Sequence, residues 1–381
     1  MLRTLSLGLI ILFATTVQAF AACTLPYTLT NGQTADASQV MANLNAVVNC
    51  VSSSTNFTGG YLNKFRNGTM DVWQRGAGPI SVTTAGAYTA DGWIVIPAAA
   101  GITAQQATGR GPTVYSLKVI GAAGVTDATV KQRIESVIAA PLAGVAVTVQ
   151  AEIYNNTGAA ITPTLTVKHA SGADAWTSPI TDVNAVSLQP CPNGSWTQVA
   201  YTFTASSSSG NGLEISFDFG NNFGSTTSSV QISEADVRAT PGTAVGLNNT
   251  PPAPELRPIS AEIPFCQRYF QSSYPYGTAP GTANQTNSSF GHVAIDVFDF
   301  YDLGETTFQV QMRTQPTIQF YNASTGSAAG TYYDLNNGTI SGTAQIRNGT
   351  LTTYGFNQYT PSQGLTVGSV YLIHWTVSSE L

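Results

Sequence analysis

Charge is scarce in this chain. Lysine, arginine, aspartate and glutamate make up 9% of its 381 residues, against about a quarter in an ordinary soluble domain. Serine, threonine, asparagine, glutamine and glycine must supply the solubility instead. That composition suits an extracellular or particle-surface β-protein better than a cytosolic enzyme. Basic residues are scarcer than acidic ones, 14 against 20, and the net charge is −6 with no basic run. Phosphate binding needs a basic face, so no nucleic-acid partner is expected. Cysteine is limited to Cys23, Cys50, Cys191 and Cys266, and the histidines His169, His292 and His374 are scattered. Zinc-type spacing is therefore absent. The sequence also lacks a G-x-S-x-G elbow, a P-loop and a dinucleotide fingerprint. After the first residues no apolar run is long enough to cross a bilayer.

What is present begins with a leader. Arg3 precedes the apolar "LSLGLIILFATTV", and Ala19-Phe20-Ala21 forms a small-residue cleavage pattern. Residues 1–21 read as a signal peptide, so the mature chain is expected to be secreted or held at a cell or particle surface. An exported chain permits disulfides, and Cys23–Cys50 is the favoured pair. It would clip a short helix to the segment before it. Cys191 and Cys266 have no obvious local partner.

Residues 22–60 read as a short helical stalk and a joint. In "TADASQVMANLNAVVNCV" Asp36 and Gln39 fit a capping box. Val40, Leu44, Val47 and Val51 follow a 4-3-4 spacing, the seam of a coiled coil. The helix is too short to stand alone. Either it packs on the next domain, or about three copies pack together as a trimer. "SSSTNFTGG" is then a flexible joint.

Residues 61–240 carry period-2 alternation between Gly, Asn, Ser and Pro turns. "VAVTVQAEIYN" puts Val145, Val147, Val149, Ala151 and Ile153 on one face. About eight strands of this kind predict a two-sheet jelly roll. "PGTAVGLNNTPPAPELRPIS", residues 241–260, reads as a Pro-rich extended linker. Residues 261–381 form a second β-module, and "SVYLIHWTVSSEL" at its end predicts a strand that holds the chain's last residues in a sheet. The fold class is all-β: two antiparallel, jelly-roll-like sandwiches and a short N-terminal helix.

Within this frame the candidate ligand groups are aromatic. "NKFRNGTMDVWQRG" crowds Phe65, Met70, Trp73 and Arg75, and Trp93 follows in "YTADGW". Trp73 and Trp93 are expected in the core, with Arg75 paired to Asp71 or Asp91. Trp196 shares an alternating strand with Val199, Tyr201 and Phe203 and is expected in or near the core. Trp176 lies in a small-residue loop, "HASGADAWTSP", beside Asp174 and His169. Stacking plus a few hydrogen bonds would suit a saccharide there; a loop-burying anchor is the alternative. "RYFQSSYPYGTAPG" offers Tyr274 and Tyr276 as a second contact surface. Glycoside hydrolysis would need two carboxyls about 5–10 Å apart. Glu135, Glu152, Glu214, Asp218, Glu234 and Asp236 read as acids on solvated strand faces, so no enzyme is expected and no cofactor is required.

"NGTMDVWQRG" with "YTADGW", then "PFCQRYFQSSYPYG", "VQMRTQPT" and the final "SSEL" resemble modules of bacteriophage tail-fibre and tailspike proteins. "GSWTQVAYTFTAS" and "VQISEADVRAT" resemble late strands of carbohydrate-binding jelly rolls. The resemblance implies non-catalytic recognition of a cell-surface polysaccharide, with phage-like particle proteins as further partners. It also implies a structural Ca²⁺, for which Asp91 and Asp236 offer oxygen ligands. The export leader departs from the pattern of particle proteins assembled in the cytoplasm. A secreted protein that keeps fibre-type modules and a particle protein displayed at a surface both fit. A structural particle component without its own ligand is the alternative role, and a polysaccharide depolymerase a more distant one.

Overall fold

The computed structural model describes residues 26–28, 36–54, 61–111, 115–293, 301–346, 349–360 and 365–381. The leader, Cys23, the Cys50 side chain and most of the joint lie outside these residues, as do the side chains of Val47 and Val51. The chain falls into two compact units, Met1–Thr58 and Gly59–Leu381. Among the described residues no helix is long and apolar enough to cross a membrane.

Among its described residues the first unit holds one helix, Ala37–Ser54. Asp36 caps it: its Oδ1 accepts from Ser38 N at 2.7 Å and from Ser38 Oγ at 2.6 Å. Those bonds hold the Asp36 carboxyl below its ordinary pKa, the Ser38 hydroxyl contributing most. Asn43 ties the helix to Tyr27 by two backbone bonds, donating to its carbonyl at 2.7 Å and accepting from its N–H at 3.0 Å. Met41 and Leu44 stay exposed on its surface.

The second unit is all-β. A seven-stranded sheet runs, in spatial order, Ile80–Val82, Ile102–Thr108, Tyr115–Ile120, Ser229–Ala239, Ala146–Asn156, Ser195–Thr204 and Gly246–Leu247. A six-stranded sheet runs Ala87–Tyr88, Trp93–Ala98, Asp127–Ile134, Leu213–Asp218, Thr164–His169 and Ile180–Ser187. Every pairing is antiparallel. Alternation dictates the layering. Val147, Val149, Ala151 and Ile153 face inward and are buried, opposite Ile215, Phe217, Val130 and Val167 of the other sheet in one core. Twelve strands lie between Ile80 and Ala239 rather than about eight, the excess being short pieces such as Ala87–Tyr88.

The stretch 63–76 closes one end of this sandwich. Phe65, Met70, Trp73 and Trp93 are fully buried. Trp73 Nε1 donates to Met70 O at 2.6 Å, and Trp93 Nε1 to Asn67 O at 3.0 Å. Gly68 has no room for a side chain, because a Cβ there would meet Ala235 O at 2.3 Å. Arg75 pairs with Asp91 at 3.1 Å.

Residues 241–260 do not hang free. Gly246–Leu247 adds an edge strand to Ser195–Thr204. Gln150 Nε2 donates to Pro252 O at 2.7 Å, and Asn63 N donates to Glu255 Oε2 at 2.7 Å. A helix, Ile259–Gln267, follows. Glu255 and Arg257 fasten the segment along the first sandwich.

In the C-terminal part, Val370–Ser378 is a central strand. Phe270–Ser272 and Phe290–Val293 pair with it, and so do Thr317–Asn322 and Thr331–Asp334. A three-stranded sheet, Tyr301–Thr307, Gly355–Thr360 and Gln345–Ile346, completes the module. Met312, Phe320, Tyr332, Phe356, Tyr371, Ile373 and Trp375 form its core. The residues after the central strand then reach the first sandwich. Glu380 pairs with Arg66, and with Arg75 at 3.0 Å. Leu381 O accepts from Tyr88 Oη at 3.0 Å and from Arg133 Nη1 at 2.9 Å.

Candidate functional site

The expected ligand groups separate into two places. Trp176 is half-buried against Gly212, with the Arg133 guanidinium 4.9 Å from its ring centroid and its indole N–H buried without a hydrogen bond. Asp174 Oδ1 accepts from Ser136 N at 2.7 Å, and Arg313 Nη1 lies 3.3 Å from Asp174 Oδ2. His169 is buried, its Nδ1 2.8 Å from Asp182 Oδ1. These three residues are thus engaged within the fold. Tyr274 and Tyr276 come together elsewhere and line a cavity of about 260 Å³ with Gln74, Ile263, Gln267, Ser272 and Gln309.

Asp91 and Asp236 do not fit a cation. Asp91 accepts from Gln74 N at 2.7 Å and faces Arg75, while Asp236 faces Arg238 and accepts from Glu255 N at 2.7 Å. A cation at either would meet an arginine. Among the described residues no group of three or more His, Cys, Asp or Glu could hold a metal. Cys191 and Cys266 are free and buried, and burial pushes both thiols above their ordinary pKa.

Three of the acids weighed as catalytic carboxylates are also engaged, and Glu135, Glu152, Glu214, Glu234 and Asp236 are buried rather than solvated. Glu135 is held by Arg268 and Tyr269, each at 2.6 Å. Glu214 pairs with Lys131 at 2.9 Å and Arg133 at 2.8 Å, and these cations outweigh its burial and hold its pKa low. Asp218 lies beside Asp127. Burial first and Asp218 second push Asp127 up to about 6.

The outer face of the seven-stranded sheet carries the most open constellation. Trp196 sits there and not in the core. It is three residues from Val199, so alternation puts the two on opposite faces. Register then assembles a row across five strands: Trp196 opposite Tyr154, Tyr154 opposite Gln231, Gln231 opposite Lys118, Lys118 opposite Gln105. Neighbouring strands lie about 4.8 Å apart, so the row spans about 19 Å. All five residues are half-buried. The Trp196 and Tyr154 rings are 5.5 Å apart and tilted by 50°. Gln231 Oε1 accepts from Ser116 Oγ at 2.7 Å, which fixes its amide with the NH₂ turned away from that bond. The side-chain polar atoms of Gln105, Lys118, Tyr154 and Trp196 make no hydrogen bond among the described residues.

An ion pair borders the row. Glu152, in register between Ser233 and Gln198, pairs with Arg110. Its Oε2 is buried and has no hydrogen-bond partner among the described residues. Burial raises its pKa, and Arg110 offsets part of that rise. Sequence reasoning missed this row because its members lie far apart in the chain. The available signal was the parity of residues 196 and 199.

No protein-family model and no curated protein matches the sequence. Among solved structures, part of the chain is similar to the enzymatically active domain of tailspike protein 4 of bacteriophage CBA120, with 11% identity over 47% of this chain and 22% of that one, and a TM-score of 0.33. It is also similar to a CBM22 xylan-binding domain from Paenibacillus barcinonensis, with 11% identity over 43% of this chain and 95% of that one, and a TM-score of 0.28. A CBM4 structure is similar over 47% of this chain and all of its own, with 15% identity and a TM-score of 0.30.

Proposed function

We propose that the protein is a non-catalytic binder of cell-surface polysaccharide, and that the outer face of the seven-stranded sheet is where the polymer lies. The observation that carries this reading is the row from Trp196 to Gln105. Two adjacent rings offer apolar faces for the C–H faces of sugars, and both keep a polar N–H or O–H beside them. The fixed amide of Gln231, the Lys118 ammonium and the amide of Gln105 continue the line across the strands. A length of about 19 Å suits an extended chain of several sugar rings rather than a single one.

Affinity at one such face is modest, because ordering and desolvation offset much of the contact energy. Several linked copies would raise it by avidity. The helix Ala37–Ser54 suits that task, since Leu44 of the 4-3-4 seam read from the sequence is 52% exposed and Met41, outside the seam, is 55% exposed. The proposal therefore includes a trimer, displayed outside the cell or on a phage-like particle for adhesion or host recognition.

The test is binding of the purified chain to extracted capsular and envelope polysaccharides, with polymer length followed in the same samples. Trp196→Ala and Tyr154→Ala should each weaken binding about tenfold, equivalent to roughly 1–2 kcal/mol for one stacked ring, while leaving circular dichroism unchanged. Shortened polymer would show an enzyme instead. Full binding by both variants would overturn the assignment to this face.

A further inference from the structure

We infer that the cavity lined by Tyr274 and Tyr276 is a second binding site, which takes a single neutral, hydroxyl-rich ring. The argument rests on the cavity's own lining and not on the sheet row.

Size comes first. The cavity measures about 260 Å³, below the roughly 300–1,000 Å³ of pockets for drug-sized ligands. One ring fits there and an oligomer does not. Charge comes next. Gln74, Ile263, Gln267, Ser272, Tyr274, Tyr276 and Gln309 line it, and none bears a formal charge. An ionic ligand would lose its hydration without gaining a counter-ion. The ligand is therefore neutral.

The polar groups ask for hydroxyls. Gln74 is buried, and its Nε2 is used on Phe270 O at 2.9 Å, so its Oε1 is left as an open acceptor. Gln267 Nε2 donates to Gln309 Oε1 at 2.5 Å, which leaves Gln267 Oε1 to accept and Gln309 Nε2 to donate. Ser272 Oγ accepts from Tyr274 N at 3.1 Å and keeps its own proton for a ligand. Two acceptors and two donors thus border one small volume. A hydroxyl both gives and takes, so neighbouring hydroxyls on a ring satisfy this set where a simple amine or carbonyl compound does not.

The walls are preset. Tyr276 is 51% exposed, yet its hydroxyl is clamped, donating to Asp71 O and accepting from Trp73 N at 3.0 Å. Its ring therefore offers a flat face that needs no ordering on binding. The Tyr274 ring is stacked on His374 at 3.9 Å and cannot swing into the cavity. Ile263 adds an aliphatic patch.

The experiment titrates the full chain with methyl β-D-glucopyranoside, methyl β-D-galactopyranoside and methyl α-D-mannopyranoside, read by saturation-transfer NMR and calorimetry. Sodium glucuronate serves as the charged comparison. Each probe is tested on the wild type, on Trp196→Ala and on Gln309→Leu; Gln309 is exposed, so its replacement spares the fold. The expected result is weak, saturable binding of at least one neutral glycoside, unchanged by Trp196→Ala and weakened about fivefold by Gln309→Leu, the loss of one hydrogen bond. Failure of all three neutral glycosides, tighter binding of glucuronate, or loss through Trp196→Ala alone would overturn the inference. Glycoside binding that depends on Gln309 in a chain that ignores polysaccharide would uphold the cavity and refute the sheet row.

Discussion

Glu380 offers the sharpest test of how the molecule is held together. Its side chain is 7% exposed and faces two arginines of the first sandwich, Arg66 and Arg75. The two arginines are not equally dependent on it. Arg75 keeps Asp91 at 3.1 Å and the Phe270 ring at 3.7 Å. Arg66 keeps only Arg133 O at 3.5 Å and the Tyr269 ring at 3.8 Å, and its Nε is already buried without a partner. In Glu380→Ala a buried guanidinium therefore loses its carboxylate. Removing one member of a buried pair costs about 3–5 kcal/mol. Because Arg75 retains a partner, the lower end applies, roughly 3 kcal/mol. Glu380→Gln keeps an acceptor and should cost less, about 2 kcal/mol.

The assay is guanidinium denaturation of the full chain followed by tryptophan fluorescence, with Glu305→Ala as an exposed acidic control. The clamp joins the stretch 63–76 to the residues after the last strand, so its loss should also broaden the transition or split it in two. A second readout comes from Asp91. Burial raises its pKa to about 6, Arg75 opposes that rise and Glu380 adds to it. Glu380→Ala should let Asp91 ionise at lower pH. A loss below about 1 kcal/mol with an unchanged single transition would refute the reasoning, because solvated ion pairs behave that way.

Two further predictions concern residues singled out by the sequence. The folded-state pKa of Asp127 is pushed up to about 6, above the ordinary aspartate value, because of burial first and Asp218 second. The folded chain therefore holds the extra proton between about pH 4 and 6, and its stability falls as pH rises through that window. Asp127→Asn should flatten this slope and gain about 1 kcal/mol at pH 8, a value discounted for partial exposure; parallel pH profiles of thermal melting for variant and wild type would sink the idea. Trp176→Ala should cost about 2–3 kcal/mol, since the ring fills the space between Gly212 and Arg133. Its polysaccharide binding should match the wild type once both are folded, and a selective loss of binding would restore Trp176 as a sugar contact.

Local chemistry was readable from the chain, and long-range placement was not. Alternation at Val147, Val149, Ala151 and Ile153 identified a buried face because period 2 leaves no other arrangement. The glycine- and asparagine-punctuated run around Trp73 announced a frame, and Arg75 found one of its two expected partners. The same rule, applied to residues 196 and 199, separates Trp196 from Val199; grouping it with the core ignored parity. The helix Ile259–Gln267 was hidden because Pro258 precedes it and Pro264 interrupts it. The row from Trp196 to Gln105 draws on five strands, and the cavity joins Gln74 to Gln309. Neither sequence periodicity nor propensity brings such distant positions together; only sheet order does.

Sheet order also accounts for the shortage of charge with which the chain announces itself. Many of its charged groups converge where the two β-layers meet the C-terminal module. Arg66, Arg75 and Glu380 form one cluster, Arg257 with Glu262 a second, Arg268 with Glu135 a third, and Arg313 with Asp174 a fourth. Arg257 and Glu262 are five residues apart, while the other pairings tie residues far apart in the chain. The proposed ligand surfaces are left to amides, hydroxyls and aromatic rings, with Lys118 a lone cation on the row. On the proposed reading, recognition rests on stacking and hydroxyl geometry more than on net charge. Its affinity for a neutral polysaccharide should therefore change little between low and moderate salt, whereas a binder relying on Lys118 for an acidic polymer would weaken as ionic strength rises. A salt titration of polysaccharide binding separates the two, and a steep loss of affinity would shift the recognised polymer to the acidic class.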